Sequence, residues 1–306
     1  MRALITGSQG FVGGYLRREL EDNGYEVLGL DLQSGRDTVQ ADLLDPEQMK
    51  EAIRGTKPDA VFHLAGQADV AKSWRIPQKT VEINTIGALN LLDAVRAYRE
   101  DVRVLLVGSS DQYGDLGEAG ERVSETTEMR PQTPYAVSKL AQEELAKAYV
   151  RAYGMKICMT RSFNHGGAGQ REGFLIPDFA AGIVRVERGL EKALWVGNLE
   201  SRRDFTHVRD VVRAYRLLSE KGRPGEVYNV GSGRTYSARE ILDGLLKMTD
   251  HVIPVKQDPA KMRPSDTPVI CCDNTKLTKD TDWSPEIPLE QILMETLQHY
   301  RKKVSI

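Results

Sequence analysis

The first two dozen residues set the fold. Arg2-Ala3-Leu4-Ile5-Thr6 is a short apolar run, and Gly7-Ser8-Gln9-Gly10-Phe11-Val12-Gly13 follows it. An amphipathic stretch then runs to about Asn23-Gly24. A strand, a turn with glycine at its first, fourth and seventh positions, and a helix together form a pattern that binds dinucleotides. Gly7 permits the tight turn, Gly10 lets the backbone approach a pyrophosphate, and Gly13 allows the helix to pack closely on the sheet. The helix N-terminus then faces the phosphates.

Glu26 to Leu30 reads as a second strand ending at Asp31. An acid there hydrogen-bonds the adenosine ribose hydroxyls and repels a 2′-phosphate, so Asp31 favours NAD(H). Arg36 lies five residues on and could meet a phosphate, which leaves NADP(H) open. A third short strand ends at Ala41-Asp42-Leu43, and Pro46 opens a helix. Asp59 to Leu64 is a buried strand leading into Ala65-Gly66-Gln67-Ala68, whose small residues let a dinucleotide lie close. His63 reads as a packed strand residue. A long helix from about Val81 to Arg99 carries Asn84, and the strand Val102 to Val107 opens into Gly108-Ser109-Ser110-Asp111-Gln112-Tyr113-Gly114. Strands alternating with helices predict an α/β fold with a doubly wound parallel sheet. Its ligands sit beyond the carboxyl ends of the strands, where Ser109 and Asp111 lie.

Pro134-Tyr135-Ala136-Val137-Ser138-Lys139 carries the acid–base chemistry. Proline suits the first turn of a helix. Tyr135 and Lys139, four apart, share one helical face. An ammonium beside a phenol favours the phenolate, so Lys139 is expected to lower the Tyr135 pKa. Such a tyrosine passes a proton to or from a carbinol oxygen.

The chain has 306 residues and a net charge of −2 with its acids and bases interspersed, which points to neither nucleic acid nor an anionic membrane. No apolar run is long enough to span a bilayer, and the N-terminus shows no signal-peptide pattern. Three cysteines, Cys158, Cys271 and Cys272, make no disulfide framework, and no Cys/His spacing reads as a metal site. A cytoplasmic location is the expectation. In the second half, Phe174 to Arg188, Asp210 to Glu220 and Leu289 to about Arg301 read as helices, and Leu194 to Val196 and Glu226 to Val230 as strands. Ser237 with Glu240 forms a capping box opening a helix to about Met248.

Four ordered motifs resemble the extended short-chain dehydrogenase/reductases. They are Thr6 to Gly13, His63 to Gly66, Gly108 to Gly114, and Tyr135 with Lys139. The resemblance implies a Rossmann domain over 1–165 plus 204–231 and a smaller, interleaved substrate lobe over 166–203 plus 232–306. It implies that Ser109 hydrogen-bonds the substrate oxygen, that Tyr135 is the acid/base and that Lys139 grips the nicotinamide ribose. Gly7, Gln9, Gly10, Phe11, Val12 and Gly13 would hold the cofactor from the glycine turn. Asp31, Asp42 and Leu43 would lie near its adenosine. Leu64, Ala65, Gly66, Gln67, Asn84, Val107 and Arg161 would line the rest of its site.

Arg161 to His165, Gly197 to Phe205, Tyr228 to Gly233 and Arg263 to Asp266 narrow the resemblance to the nucleotide-sugar branch, and there to the GDP-mannose group of 4,6-dehydratases and 4-keto-6-deoxymannose reductases. Fork-shaped guanidiniums match phosphate oxygens. The resemblance places Arg203 and Arg263 on the substrate diphosphate, with Asn164, Ser109, Ser110 and Asp111 also at the substrate. Arg202 is the less certain neighbour, and His165 and His207 read as structural.

The dehydratases carry a glutamate where Asp111 stands. A carboxylate one methylene shorter falls short of the sugar C5 by about an ångström, a misplacement worth on the order of a hundredfold in rate. Leu32-Gln33-Ser34-Gly35 also lacks the paired-arginine loop of the dehydratases. The expected reaction is therefore reduction of the C4 ketone of GDP-4-keto-6-deoxy-D-mannose to GDP-D-rhamnose, in a homodimer built through helices near 82–100 and 135–152. A 4,6-dehydratase or a 4-epimerase is the alternative, and a non-catalytic dinucleotide sensor the remote one. Gly166-Gly167-Ala168-Gly169-Gln170 departs from the G-P-G-Q of the group, which loosens the expectation for the sugar.

Overall fold

The computed structural model describes residues 1–115, 122–261 and 269–303. In the first half, strands β1 (Arg2–Thr6), β2 (Glu26–Asp31) and β3 (Thr38–Gln40) alternate with helices α1 (Phe11–Asp22) and α2 (Pro46–Thr56). There follow β4 (Ala60–His63), α3 (Val70–Arg75), α4 (Pro77–Val81), α5 (Gly87–Tyr98), β5 (Arg103–Ser109) and α6 (Pro134–Tyr153). The second half contains β6 (Lys156–Ser162), β7 (Asn164–Gly166), α7 (Leu175–Glu187), β8 (Leu194–Val196), β9 (Arg202–His207), α8 (Val208–Lys221) and β10 (Val227–Val230). It closes with β11 (Thr235–Ser237), α9 (Ala238–Leu246), β12 (Val255–Gln257), β13 (Val269–Ile270), α10 (Thr275–Thr281) and α11 (Leu289–Lys303). No described helix is long and apolar enough to cross a membrane.

Seven strands form one parallel sheet in the order β10-β6-β5-β4-β1-β2-β3. The period-two alternation of strand side chains explains how it is covered. Leu4, Val61, Val104, Leu106, Ile157 and Met159 enter one core with α2 and α5. Their neighbours Ala3, Ile5, Ala60, Phe62, Leu105 and Cys158 enter a second core with α1 and α8. Strands buried on both faces read as continuous apolar runs, as these do. This is the doubly wound Rossmann architecture.

The smaller lobe has its own core from α7, α9 and α11. Its central strand β9 pairs antiparallel with β11 and parallel with β7 and β13. The lobe expected over 232–306 is not uniform: Leu277 and Trp283 lie in the core under α8. Ser237 and Glu240 form the expected capping box. The expected helix over 81–99 is instead α4, a π-helical stretch over Glu82–Ile86, and α5. The expected strand to Leu43 ends at Gln40, and Asp42 lies in the turn before α2, accepting from the Leu44 N–H at 2.9 Å.

Asp204 of β9 ties the lobes together. Its buried carboxylate accepts from Ser232 N and Oγ on one oxygen, and from Gly233 N and Cys272 N on the other. Asparagine there would turn an amino group toward two buried N–H donors. Asp204→Asn is expected to lower unfolding free energy by about 3 kcal/mol, since each buried donor left unsatisfied costs roughly 1–3 kcal/mol. Guanidinium titration measures this, and a loss under about 0.5 kcal/mol would refute it.

Candidate active site

The dinucleotide end is built where β1 stops. Helix α1 begins after Gly10, which has no side chain to occupy the first-turn N–H groups, so they stay available to an anion. Gly13 is required by contact: a Cβ there would lie 2.5 Å from the Gly7 carbonyl oxygen. Asp31 ends β2 and fastens the turn, accepting from the Gln9 N–H at 2.9 Å and the Gln33 N–H at 3.2 Å. Its oxygens keep lone pairs for ribose hydroxyls. The Gln9 side chain donates to Thr38 Oγ1 at 3.1 Å. Arg36 instead pairs with Asp37 and Glu21.

The segment after β4 forms the next wall. Leu64 N donates to the Thr6 carbonyl, and Ala65 N to Thr6 Oγ1. Gln67 N donates to Asn84 Oδ1 at 2.7 Å, while Asn84 Nδ2 donates to the Gln67 carbonyl and to Ser138 Oγ. Asn84 thus joins this wall to α6 from within the π-helical turn, a rare form that concentrates at functional sites. Leu43 is buried and faces Gly87 of α5. His63 is packed as expected: burial first, then the Lys139 charge, depress its pKa to about 3, and its Nδ1 lies 2.8 Å from Thr6 Oγ1.

Thr133 caps α6 through the Ala136 N–H, so Tyr135 sits in the first turn. Ser109 ends β5 and caps the short 3-10 turn Ser110–Tyr113. Its hydroxyl accepts from the Asp111 N–H and lies close enough to the Tyr135 phenol to act on its pKa. Ser110 is buried at the head of that turn. The expected Lys139 effect on the phenol is not what the geometry gives. Burial first, then the Asp111 charge, push the Tyr135 pKa up, with the Ser109 hydroxyl pulling against them. Lys139 instead donates to the Val107 carbonyl at 2.8 Å and to Gln142 Oε1 at 3.1 Å. Burial depresses its own pKa to about 8.

On the opposite wall, Asn164 is exposed at the start of β7, in register with Phe205 of β9. Arg203 and Arg202 are adjacent on β9, so they point to opposite faces. Arg202 is tied to Thr235 and Glu240 at the start of α9, while Arg203 Nη1 donates to the Arg202 carbonyl. Arg263 lies outside the described residues.

Arg161 departs from its expected place beside the cofactor. It is 2 % exposed and donates from Nε and Nη2 to Glu143 and from Nη1 to Tyr113 Oη and the Glu125 carbonyl. Glu143 and Gln112, which meet there, escaped the sequence reading. Two signals were present: Tyr135, Lys139, Glu143 and Lys147 recur every four residues along α6, and Ser109 with Gln112 has capping-box spacing.

Comparison with known proteins agrees with this geometry. The family model described as GDP-mannose 4,6 dehydratase matches residues 4–296. The GDP-6-deoxy-D-mannose reductase of Pseudomonas aeruginosa is 36% identical over 304 residues, covering 99% of this chain and 98% of that protein. Among solved structures, RMD from Pseudomonas aeruginosa complexed with NADPH superposes with a TM-score of 0.90 at 35% identity, covering 99% of both chains. The Thermus thermophilus UDP-glucose 4-epimerase complex with NAD gives 0.89 at 31% identity, covering 99% of this chain and 100% of that one. A glycine turn, a Ser–Tyr–Lys centre and near-complete coverage coincide, and the chain belongs to the GDP-mannose 4,6-dehydratase family.

Proposed function

We propose that this protein reduces the C4 ketone of GDP-4-keto-6-deoxy-D-mannose to give GDP-D-rhamnose. The observation that carries the reading is the full-length similarity to the GDP-6-deoxy-D-mannose reductase of Pseudomonas aeruginosa, together with a protonated Tyr135 phenol beside Ser109. A phenol kept protonated is an acid, and reduction of a ketone needs an acid for the forming alkoxide. The first step of dehydration or epimerisation needs the phenolate instead. Asp111 in place of glutamate also argues against C5 proton abstraction.

The turn after β1, Asp31 and the segment 64–67 would hold a nicotinamide dinucleotide, which supplies the hydride when bound. Tyr135 delivers its proton to the C4 oxygen, and the Ser109 hydroxyl donates to the same oxygen; such preorganised donors are typically worth several kcal/mol. Lys139 is charged below its pKa of about 8 and would hold the ribose hydroxyls of the dinucleotide. Arg203 and Asn164 take the diphosphate side, with Arg263 as the second guanidinium. The P. aeruginosa reductase, similar over its full length, supports the sugar assignment.

Asp31 sets NADH as the preferred donor, because a 2′-phosphate would meet a carboxylate pinned by two backbone N–H groups. The exposed apolar side chains Trp74, Val81, Ile86, Val137 and Tyr153 on α3 to α6 and the π-helical turn suit burial against a second copy. Light scattering is expected to give twice the chain mass, and a monomer would rule out the dimer.

Mixing the protein with GDP-4-keto-6-deoxy-D-mannose and NADH or NADPH, followed by absorbance of the reduced nicotinamide, tests the reaction. The expected result is oxidation with a GDP-deoxyhexose as product, and kcat/KM higher with NADH by about tenfold, or about 1.4 kcal/mol. Formation of a 4-keto sugar from GDP-mannose without added cofactor would replace the reading with the dehydratase. Tyr135→Phe is expected to lose on the order of 10³-fold in kcat with dinucleotide affinity kept; a loss under about tenfold would sink Tyr135 as the acid. The pH profile of reduction follows from Lys139. Its ammonium is complete below about pH 8 and lost above, so kcat/KM should be level near neutrality and fall on the alkaline side. A rate that climbs through that range would contradict it.

A further inference from the structure

Four hydrogen bonds converge on the Glu143 carboxylate of α6. Gln112 Nε2 donates at 2.7 Å, Arg161 Nε at 3.0 Å and Nη2 at 2.7 Å, and Lys147 Nζ at 2.7 Å. The Glu143 and Arg161 side chains are 3 % and 2 % exposed. Burial pushes the Glu143 pKa up, but Arg161 and Lys147 overcome it and hold the group ionised.

An ionised carboxylate only accepts hydrogen bonds. The Gln112 amide must therefore turn its amino group to Glu143, and its oxygen is left facing the other way. There Gln112 Oε1 accepts the Ser109 backbone N–H at 2.9 Å. The amide has no slack, since a Cβ on Gly108 would lie 2.6 Å from that oxygen. Arg161 secures the same turn a second time through Tyr113 Oη at 3.0 Å, and Asn229 Oδ1 accepts from that hydroxyl at 2.6 Å. Glu143 stands on the helix that carries Tyr135 and Lys139, two turns past the first and one past the second along the same face.

We infer that Glu143 is a positioning residue: its carboxylate fixes the direction of the Gln112 amide, and through it the backbone of Ser109 and the placement of the Ser109 hydroxyl against Tyr135. One charge thereby couples the helix of the acid to the strand end of its partner. The inference rests on the reading of Ser109 and Tyr135 as the reacting pair, and it adds the group that sets their separation.

Three variants test it. Gln112→Met removes both amide bonds and leaves the Arg161–Glu143 pair in place. Gln112→Glu sets two carboxylates against each other. Adding Glu143→Gln to Gln112→Glu restores one carboxylate and one amide in reversed order: the acid at 112 still accepts from Ser109, and the amide at 143 donates to it while its oxygen keeps Arg161 Nη2 and Lys147 and gives up Arg161 Nε. Each single change at 112 is expected to lower kcat by about tenfold or more with the KM for the dinucleotide nearly unchanged. The double variant is expected to recover at least about threefold in kcat over Gln112→Glu alone. Hydrogen–deuterium exchange at the Ser109 amide, measured without substrate, should quicken about tenfold in Gln112→Met. Unchanged exchange at Ser109 in Gln112→Met, or a double variant no faster than Gln112→Glu alone, overturns the assignment. Hydrogen–deuterium exchange at Ser109 should also quicken in Gln112→Glu and slow again in the double variant, so that, should the unaltered protein reduce no 4-keto sugar, the proposed reaction falls while exchange across the three variants still decides the role of Glu143.

Discussion

A charge pair almost sealed from water, Arg161 with Glu143, is the interaction on which the catalytic end depends. Burying two ions costs several kcal/mol each, and their attraction offsets this only where every remaining donor and acceptor is matched. Here they are matched: the carboxylate takes four donors, and the guanidinium also reaches Tyr113 and the Glu125 carbonyl. Such a pair adds little net stability over an apolar substitute. What it provides is a single allowed arrangement of β5, β6 and α6 at their functional ends. A core of leucines would hold the same elements together without fixing the direction of one amide.

The parallel sheet makes that arrangement necessary. Its strands end on one edge, and each end contributes one piece: the glycine turn from β1, Asp31 from β2, segment 64–67 from β4 and Ser109 from β5. Tyr135 and Lys139 come from a helix that crosses this edge. Strand ends are held by ladder bonds only on the sheet side, so polar contacts across the edge must do the rest. Asn84 joins the β4 segment to α6, Gln112 joins β5 to α6, and Asp31 joins the β1 turn to β2.

The local parts of this were legible in the sequence. Glycine spacing, the Ser237 capping box, Pro134 at a helix start and the alternation of strands and helices are short-range rules, and each recurs in the structure. Two kinds of feature were not legible. The π-helical turn at Asn84 adds one residue per turn, and periodicity smooths it into one long helix. The position of Arg161 along the chain suggests a cofactor contact and gives no sign of its ion pair. Its partner Glu143 lies 18 residues earlier, and the pairing depends on how α6 lies on β6. The phenol illustrates the same limit. Spacing puts Lys139 and Tyr135 on one face, yet the ammonium reaches the Val107 carbonyl and Gln142, and burial sets the phenol instead.

That electrostatic outcome bears on the choice of chemistry within the family. A dehydratase and a reductase share the dinucleotide turn and the Ser–Tyr–Lys centre, so neither of these separates them. They differ in the sign of the first proton transfer at C4 and in whether a carboxylate reaches C5. In this chain Asp111 raises the neighbouring phenol pKa, which favours the acid form. The same residue, one methylene shorter than glutamate, lacks reach toward C5. The short carboxylate thus works against dehydration by its length, since a glutamate there would carry the same charge beside Tyr135. Reduction requires no C5 base, and it is the reaction that the short reach of Asp111 leaves intact.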